Sequence, residues 1–172
     1  FSRPGSMTVT VVATNEESAA ASAATPVSVV VPSSAVSAGG PYVIHEGESL
    51  TLTASAPGTP NFYEWDLNGD GVSDAQGATA TLTWLDLHNL AHGGIDDNGV
   101  YPVSVRVSYA HAGVVTFTDS APGTITVLNT APTARFESGG PVDEGQDATV
   151  RFSSPVDPSA ADQRAGFTYG VD

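Results

Sequence analysis

Apolar and polar positions alternate along most of this chain, in short runs separated by Gly, Pro, Asn and Asp. From Leu50 the apolar side chains fall at Leu50, Leu52 and Ala54, and from Tyr101 at Tyr101, Val103, Val105 and Val107. A period of two puts one set of side chains on a single face of a β-strand. The runs predict strands over residues 41–45, 49–55, 62–66, 78–84, 101–109, 113–118 and 123–128. Shared parity assigns Leu50, Leu52, Trp65, Leu82, Trp84, Val103 and Val105 to a common core. Leu85-Asp86-Leu87-His88-Asn89-Leu90 breaks the alternation and reads as a short helical turn. The Ala/Ser-rich stretch Ser18–Ala24 reads as a long hairpin tip, because it sits between matched strands and context outweighs intrinsic propensity.

The pattern repeats. Gly39-Gly40-Pro41, Glu46-Gly47 and the strand at Leu50 recur as Gly139-Gly140-Pro141, Glu144-Gly145 and Ala148-x-Val150-x-Phe152, 100 residues on. Likewise Gly5-x-Met7-x-Val9-x-Val11 parallels Gly99-x-Tyr101-x-Val103-x-Val105, and Val27-x-Val29 parallels Ile125-x-Val127. Tyr63-x-Trp65-Asp66 is echoed by Tyr169-x-Val171-Asp172. A period near 100 residues suits one seven-strand sandwich. The expected frame is therefore residues 1–32 as the closing strands of one module, 7–13 and 25–31. Residues 33–129 form a complete module. Residues 130–172 supply the opening strands of a third, 148–152 and 167–171.

Composition agrees and narrows the partners. Val, Ala, Thr and Ser dominate, with 18 Gly and 12 Pro, a mixture suited to many short strands and tight turns. The chain carries 19 acidic residues against five arginines and no lysine, for a net charge of −14. Such a charge repels phosphate backbones and anionic headgroups, which argues against nucleic acid and membrane partners and in favour of cations. There is no cysteine, so disulfides and thiolate metal sites are excluded. No Gly-x-Ser-x-Gly elbow, phosphate-binding loop or dinucleotide fingerprint occurs, and the expectation is a protein that is not an enzyme.

One motif carries chemistry. Asp66-x-Asn68-x-Asp70-Gly71-x-x-Asp74 places oxygen ligands at alternate positions, with Gly permitting a sharp turn, like the first nine positions of a calcium loop. Position twelve, a bidentate Glu in such loops, is Gly77, so calcium needs a further carboxylate. Asp96 or Asp97 from a facing loop is the natural supplier. The competing reading is a turn whose Asp and Asn side chains bond their own backbone. His88 and His92 share a spacing of four, but with Asn89 after His88 there is no zinc-protease motif, and they read as exposed loop histidines.

Tyr63-Glu64-Trp65-Asp66-Leu67-Asn68-Gly69-Asp70-Gly71 resembles the signature of PKD (polycystic kidney disease) domains. Asp97-Asn98-Gly99-Val100-Tyr101-Pro102-Val103 resembles the strand that follows in that family. Met7 and Val171 depart from it where aromatics are usual. The resemblance implies an all-β, immunoglobulin-like antiparallel sandwich repeated in tandem. The residues themselves agree: Trp65 on the third strand stands where sandwiches bury an aromatic between their sheets, and Tyr101, two residues after Gly99, resembles a tyrosine corner, its hydroxyl tied to nearby backbone. The function the resemblance implies is a spacer, stalk or fibre segment of an extracellular or cell-surface adhesin-like protein. Its partners would be neighbouring modules of the same or identical chains, and calcium its stabilising ion. The alternative is an accessory module of a secreted hydrolase that grips polysaccharide or protein.

Overall fold

The structure, a computed structural model, describes residues 5–15, 20–30, 35–111 and 113–170. Most of the regular structure among the described residues is strand, with two short helices, which makes the fold all-β as the alternation predicts. The strands are β1 (Gly5–Thr14), β2 (Ala20–Val29), β3 (Tyr42–His45), β4 (Leu50–Thr53), β5 (Phe62–Asp66), β6 (Ala75–Gln76) and β7 (Thr79–Leu82). After helix α1 (Trp84–His88) come β8 (Gly99–His111), β9 (Val114–Asp119), β10 (Gly123–Leu128), β11 (Thr133–Ser138), β12 (Val150–Val156) and helix α2 (Ala160–Ala165). The largest sheet runs β3-β10-β8-β5-β6, with β9 also on β8, while β4-β7, β1-β2 and β11-β12 form two-stranded sheets. Cα packing groups the chain into two compact units.

The first unit comprises Phe1–Gly40, Thr51–Ala80 and Pro102–Gly123. Trp65 of β5 is fully buried and lies in antiparallel register with Val105 of β8. Its indole Nε1–H donates to the Gly77 carbonyl at 2.8 Å, so the one polar atom of a large apolar side chain is satisfied inside. Leu52, Leu67, Val103 and Val107 are buried around the same unit. Tyr109 is buried as well, and its hydroxyl donates to the Pro57 carbonyl at 3.0 Å. By contrast, β1 and β2 pair along ten residues each and leave Val9, Val11 and Val12 exposed.

The second unit comprises Pro41–Leu50, Thr81–Tyr101 and Thr124–Asp172. Here β10 pairs β3 in parallel, from Ile125 opposite Tyr42 to Leu128 opposite His45. Leu50, Leu82, Leu87, Ile95, Ile125 and Val127 are buried. Thr83 caps α1 through a reciprocal box with Asp86, the side chain of each accepting from the backbone N–H of the other. Strands β11 and β12 pair antiparallel, and Ser159, fully buried, caps α2.

Five expectations need correction. Strand β7 ends at Leu82 and Thr83 starts a helix, so the parity that assigned Trp84 to the core breaks there. Trp84 is half-buried and donates its Nε1–H to the Pro158 carbonyl at 2.9 Å. The hairpin tip is shorter than expected. Ala20–Ala24 belong to β2, since ladder hydrogen bonds to β1 satisfy their backbone, while residues 16–19 lie outside the described ones. The strand expected at 148–152 runs instead over Val150–Val156, set by pairing with β11. Residues 167–170 form no strand, and Val171 lies outside the described residues. The first pair of strands is longer than the expected 7–13 at both ends, and β2 stops at Val29, with residues 31–34 outside the described ones.

Candidate metal-binding sites

The loop after β5 holds Asp66, Asn68, Asp70 and Asp74 in the first unit. Their side chains satisfy the loop's own backbone. Asp66 accepts from Gly69 N–H through Oδ1 at 2.6 Å and from Gly71 N–H through Oδ2 at 2.9 Å. Asn68 Oδ1 accepts from Asp70 N–H at 3.1 Å, Asp70 Oδ1 from Val72 N–H at 2.6 Å, and Asp74 Oδ2 from Leu67 N–H at 2.8 Å. These bonds match the turn reading of the motif. Gly69 takes φ +78° with Pro102 packed against it, so a Cβ here would be strained twice over. Beside the loop lies a cleft of about 440 Å³, lined by Glu64, Asp66, Arg106 and Asp119 among others. Its guanidinium is taken, as Arg106 Nε donates to Asp119 Oδ1 at 2.7 Å.

Asp96 and Asp97 lie in the second unit, on the segment before β8, and each has its own partners. Asp96 Oδ1 accepts from His88 Nδ1 at 2.8 Å and from Ala160 N–H at 3.2 Å, and Arg164 Nη2 stands 3.6 Å from Oδ2. His88 is therefore a half-buried residue in the last turn of α1, paired with a carboxylate, rather than a free loop histidine. Asp97 is fixed from behind. Tyr101 Oη–H donates to its carbonyl at 2.8 Å, the tie expected of a tyrosine corner. Burial raises the Tyr101 hydroxyl above its ordinary pKa.

Sequence reasoning missed the company Asp97 keeps. Its carboxylate lies with those of Glu46 and Asp162, one oxygen from each falling within 4.8 Å of the others. Glu46, at the end of β3, is only 3% exposed. Oε2 accepts from Thr130 N–H at 2.9 Å, whereas Oε1 is buried with no hydrogen-bond partner. Burial raises the Glu46 pKa and the charges of Asp157 and Asp162 add to that, opposed by the backbone N–H groups of Thr130 and, more weakly, Asn98. Asp162, in the first turn of α2, is also raised, by desolvation first and then by Asp97, Asp157 and Asp96.

The segment bearing Asp162 is sewn to the residues around Glu46. Gly47, at φ +85°, leaves room for Pro158, whose ring would lie 3.2 Å from any Cβ there. The Trp84 and Asp96 bonds described above reach the same segment. Within it, Asp157 Oδ1 accepts from Ser159 N–H at 2.8 Å and Gln163 Nε2 donates to the Asp157 carbonyl at 2.6 Å. A signal for Glu46 was present, since it is the carboxylate of the repeated Glu-Gly pair. None marked Asp162, which local sequence presents only as a helix-start residue.

No protein-family model matches the sequence, and no curated protein matches it.

Proposed function

We propose that this chain is a non-catalytic spacer segment of an extracellular or cell-surface protein, built from PKD-type immunoglobulin-like modules in series. The observation that carries this reading is the unequal covering of its strands. Trp65, Leu52 and Val105 are buried completely in the middle of the chain. On either side stand strand pairs with apolar side chains in the open. In β1–β2 these are Val9 and Val11, on one face of β1 and exposed by 38% and 65%. Toward the other end Phe136, Phe152 and Tyr169 line up with ring centroids 5.0 and 5.4 Å apart, yet are 58%, 40% and 55% exposed. Paired strands with one bare apolar face suit parts of neighbouring sandwiches, covered by further strands of the same or an identical chain. The expected frame of modules at 1–32, 33–129 and 130–172 describes that arrangement.

Calcium belongs to the same reading. The turn bonds at Asp66, Asn68, Asp70 and Asp74 use one lone pair of each accepting oxygen, so the loop keeps the capacity to ligate a cation. A second reading, an accessory module gripping polysaccharide, is favoured by one feature. Phe62 and Phe117, exposed by 66% and 60%, both stand in register with Ser108 on neighbouring strands and so share one face of the sheet.

Sedimentation combined with limited proteolysis of the 172-residue chain tests the spacer reading. Head-to-tail oligomers are expected if neighbouring copies complete the bare pairs. Cleavage within β1–β2 and β11–β12 around a resistant middle is expected if continuation of the chain does so. A compact monomer protected along its whole length would overturn the modular frame.

A further inference from the structure

The Glu46, Asp97 and Asp162 carboxylates lie closer together than three unscreened charges should. Among the described residues, none of them has an arginine or histidine partner, although Asp96 beside them has both. The buried Glu46 Oε1 is a separate sign. A carboxylate oxygen shut away from water without a donor is costly, and structures rarely leave one so. Asn129 lies beside the trio, and in the orientation that pairs donors with acceptors its NH₂ donates to Asp162 Oδ2 at 3.2 Å and to Glu46 Oε2 at 3.3 Å, leaving Glu46 Oε1 without a bond.

We propose that Glu46, Asp97 and Asp162 form a calcium site that clamps the α2 segment to the end of β3 and the segment before β8. The donors are all hard oxygens, which suit calcium and not zinc. Oxygens bound to one calcium at about 2.3–2.6 Å lie no more than about 5 Å apart, the spread this trio already has. Asp97 is held by the Tyr101 tie and Glu46 by Thr130, so two ligands are preset and Asp162 is the one delivered by a separate element. Glu46 and Asp162 stand on opposite sides of the sequence frame proposed above, one in the middle module and one in the next. The ion would thus fix a joint, a conclusion that rests on the spacer reading, whereas the site itself does not.

Calorimetric titration of calcium chloride into the chelator-treated 172-residue protein, with magnesium chloride as comparison, tests the site. Wild type should bind with Kd on the order of 10⁻⁴–10⁻³ M, the range of extracellular modules. Glu46→Gln and Asp162→Asn should each remove one calcium per chain or weaken it at least tenfold. Asp162 is half-exposed, so its variant stays informative should the Glu46 variant fold poorly. Hydrogen exchange gives the second readout. The amides of Gln163 and Gly166, bonded to the Ser159 and Asp162 carbonyls, should slow with calcium in wild type and not in Asp162→Asn. Unchanged calcium binding in both variants, or none in wild type at 10 mM (roughly tenfold above the weak end of that range), would overturn the proposal. Loss of all binding in Asp70→Asn, with Glu46→Gln and Asp162→Asn intact, would also overturn it. That outcome would move the ion to the Asp66 loop and leave the spacer reading standing, as would any loss confined to this site.

Discussion

The loop at Asp66 and the trio at Glu46 each gather three carboxylates, and they handle the charge in opposite ways. In the loop, Asp66, Asp70 and Asp74 turn their oxygens onto backbone N–H groups within seven residues of themselves. The acids there are the scaffold of the turn. In the trio the carboxylates arrive from the turn after β3, the segment before β8 and α2, and face one another. One buried oxygen, Glu46 Oε1, makes no hydrogen bond. Acids that are neighbours in sequence organise backbone, whereas acids brought together by the fold store repulsion that a bound cation would relieve. The sign of a mutation should therefore differ between them when no divalent ion is present.

The largest expected effect is at the loop. Asp66→Ala strips the acceptor from two backbone donors, Gly69 and Gly71. It should cost about 1–3 kcal/mol, the scale of hydrogen bonds to a charged group. Urea unfolding in chelator measures it, and an unchanged midpoint would erase the distinction between the clusters. At the trio the change should run the other way. Glu46→Gln keeps an oxygen for Thr130 N–H and supplies an NH₂ that can donate to Asp97 or Asp162. It should raise the urea midpoint at pH 7 in chelator and lose that advantage in millimolar calcium. A lowered midpoint in chelator would show that the Glu46 charge is stabilising as it stands.

The smallest effect sharpens the comparison with a third carboxylate. Asp86 is satisfied locally, accepting from Thr83 N–H at 2.9 Å and Thr83 Oγ1–H at 2.7 Å, and these bonds hold its pKa below the ordinary value. A lowered carboxyl pKa contributes stability that is present above the unfolded value of 3.8 and lost as pH falls through the folded one. Asp86→Asn should therefore unfold slightly earlier than wild type at pH 6. The two should converge below the pH at which Asp86 takes up its proton. A gap that stays constant down to pH 2, well under the ordinary carboxylate range, would exclude the charge as its source.

The strands were legible because alternation reports which face is buried, and each side chain counts independently. Residues 62–66 and 123–128 match β5 and β10 to the residue. Trp84 was misplaced because parity holds only while a strand lasts, and the Thr83-x-x-Asp86 cap that ends it competes with the apolar pattern. The Asp66 loop was legible because its chemistry is local, within nine residues. The trio was not, because Glu46 and Asp162 are 116 positions apart and each has an ordinary local reason to be where it is. What brings them together is tertiary, namely Pro158 resting on Gly47 and Trp84 reaching the Pro158 carbonyl.

The parallel pairing of β3 with β10 has a mechanical consequence. Tyr42 begins one strand and Leu128 ends the other, at opposite ends of the ladder. A pull along the chain, backward from Tyr42 and forward from Leu128, slides the two strands past each other and does not peel them apart. Every hydrogen bond between them then bears load at once, whereas a hairpin such as β11–β12, pulled from its two open ends, gives way one bond at a time. Tension along the chain would thus spend itself first on hairpins and last on the clasp between β3 and β10, which ties residues 42–45 to residues 125–128.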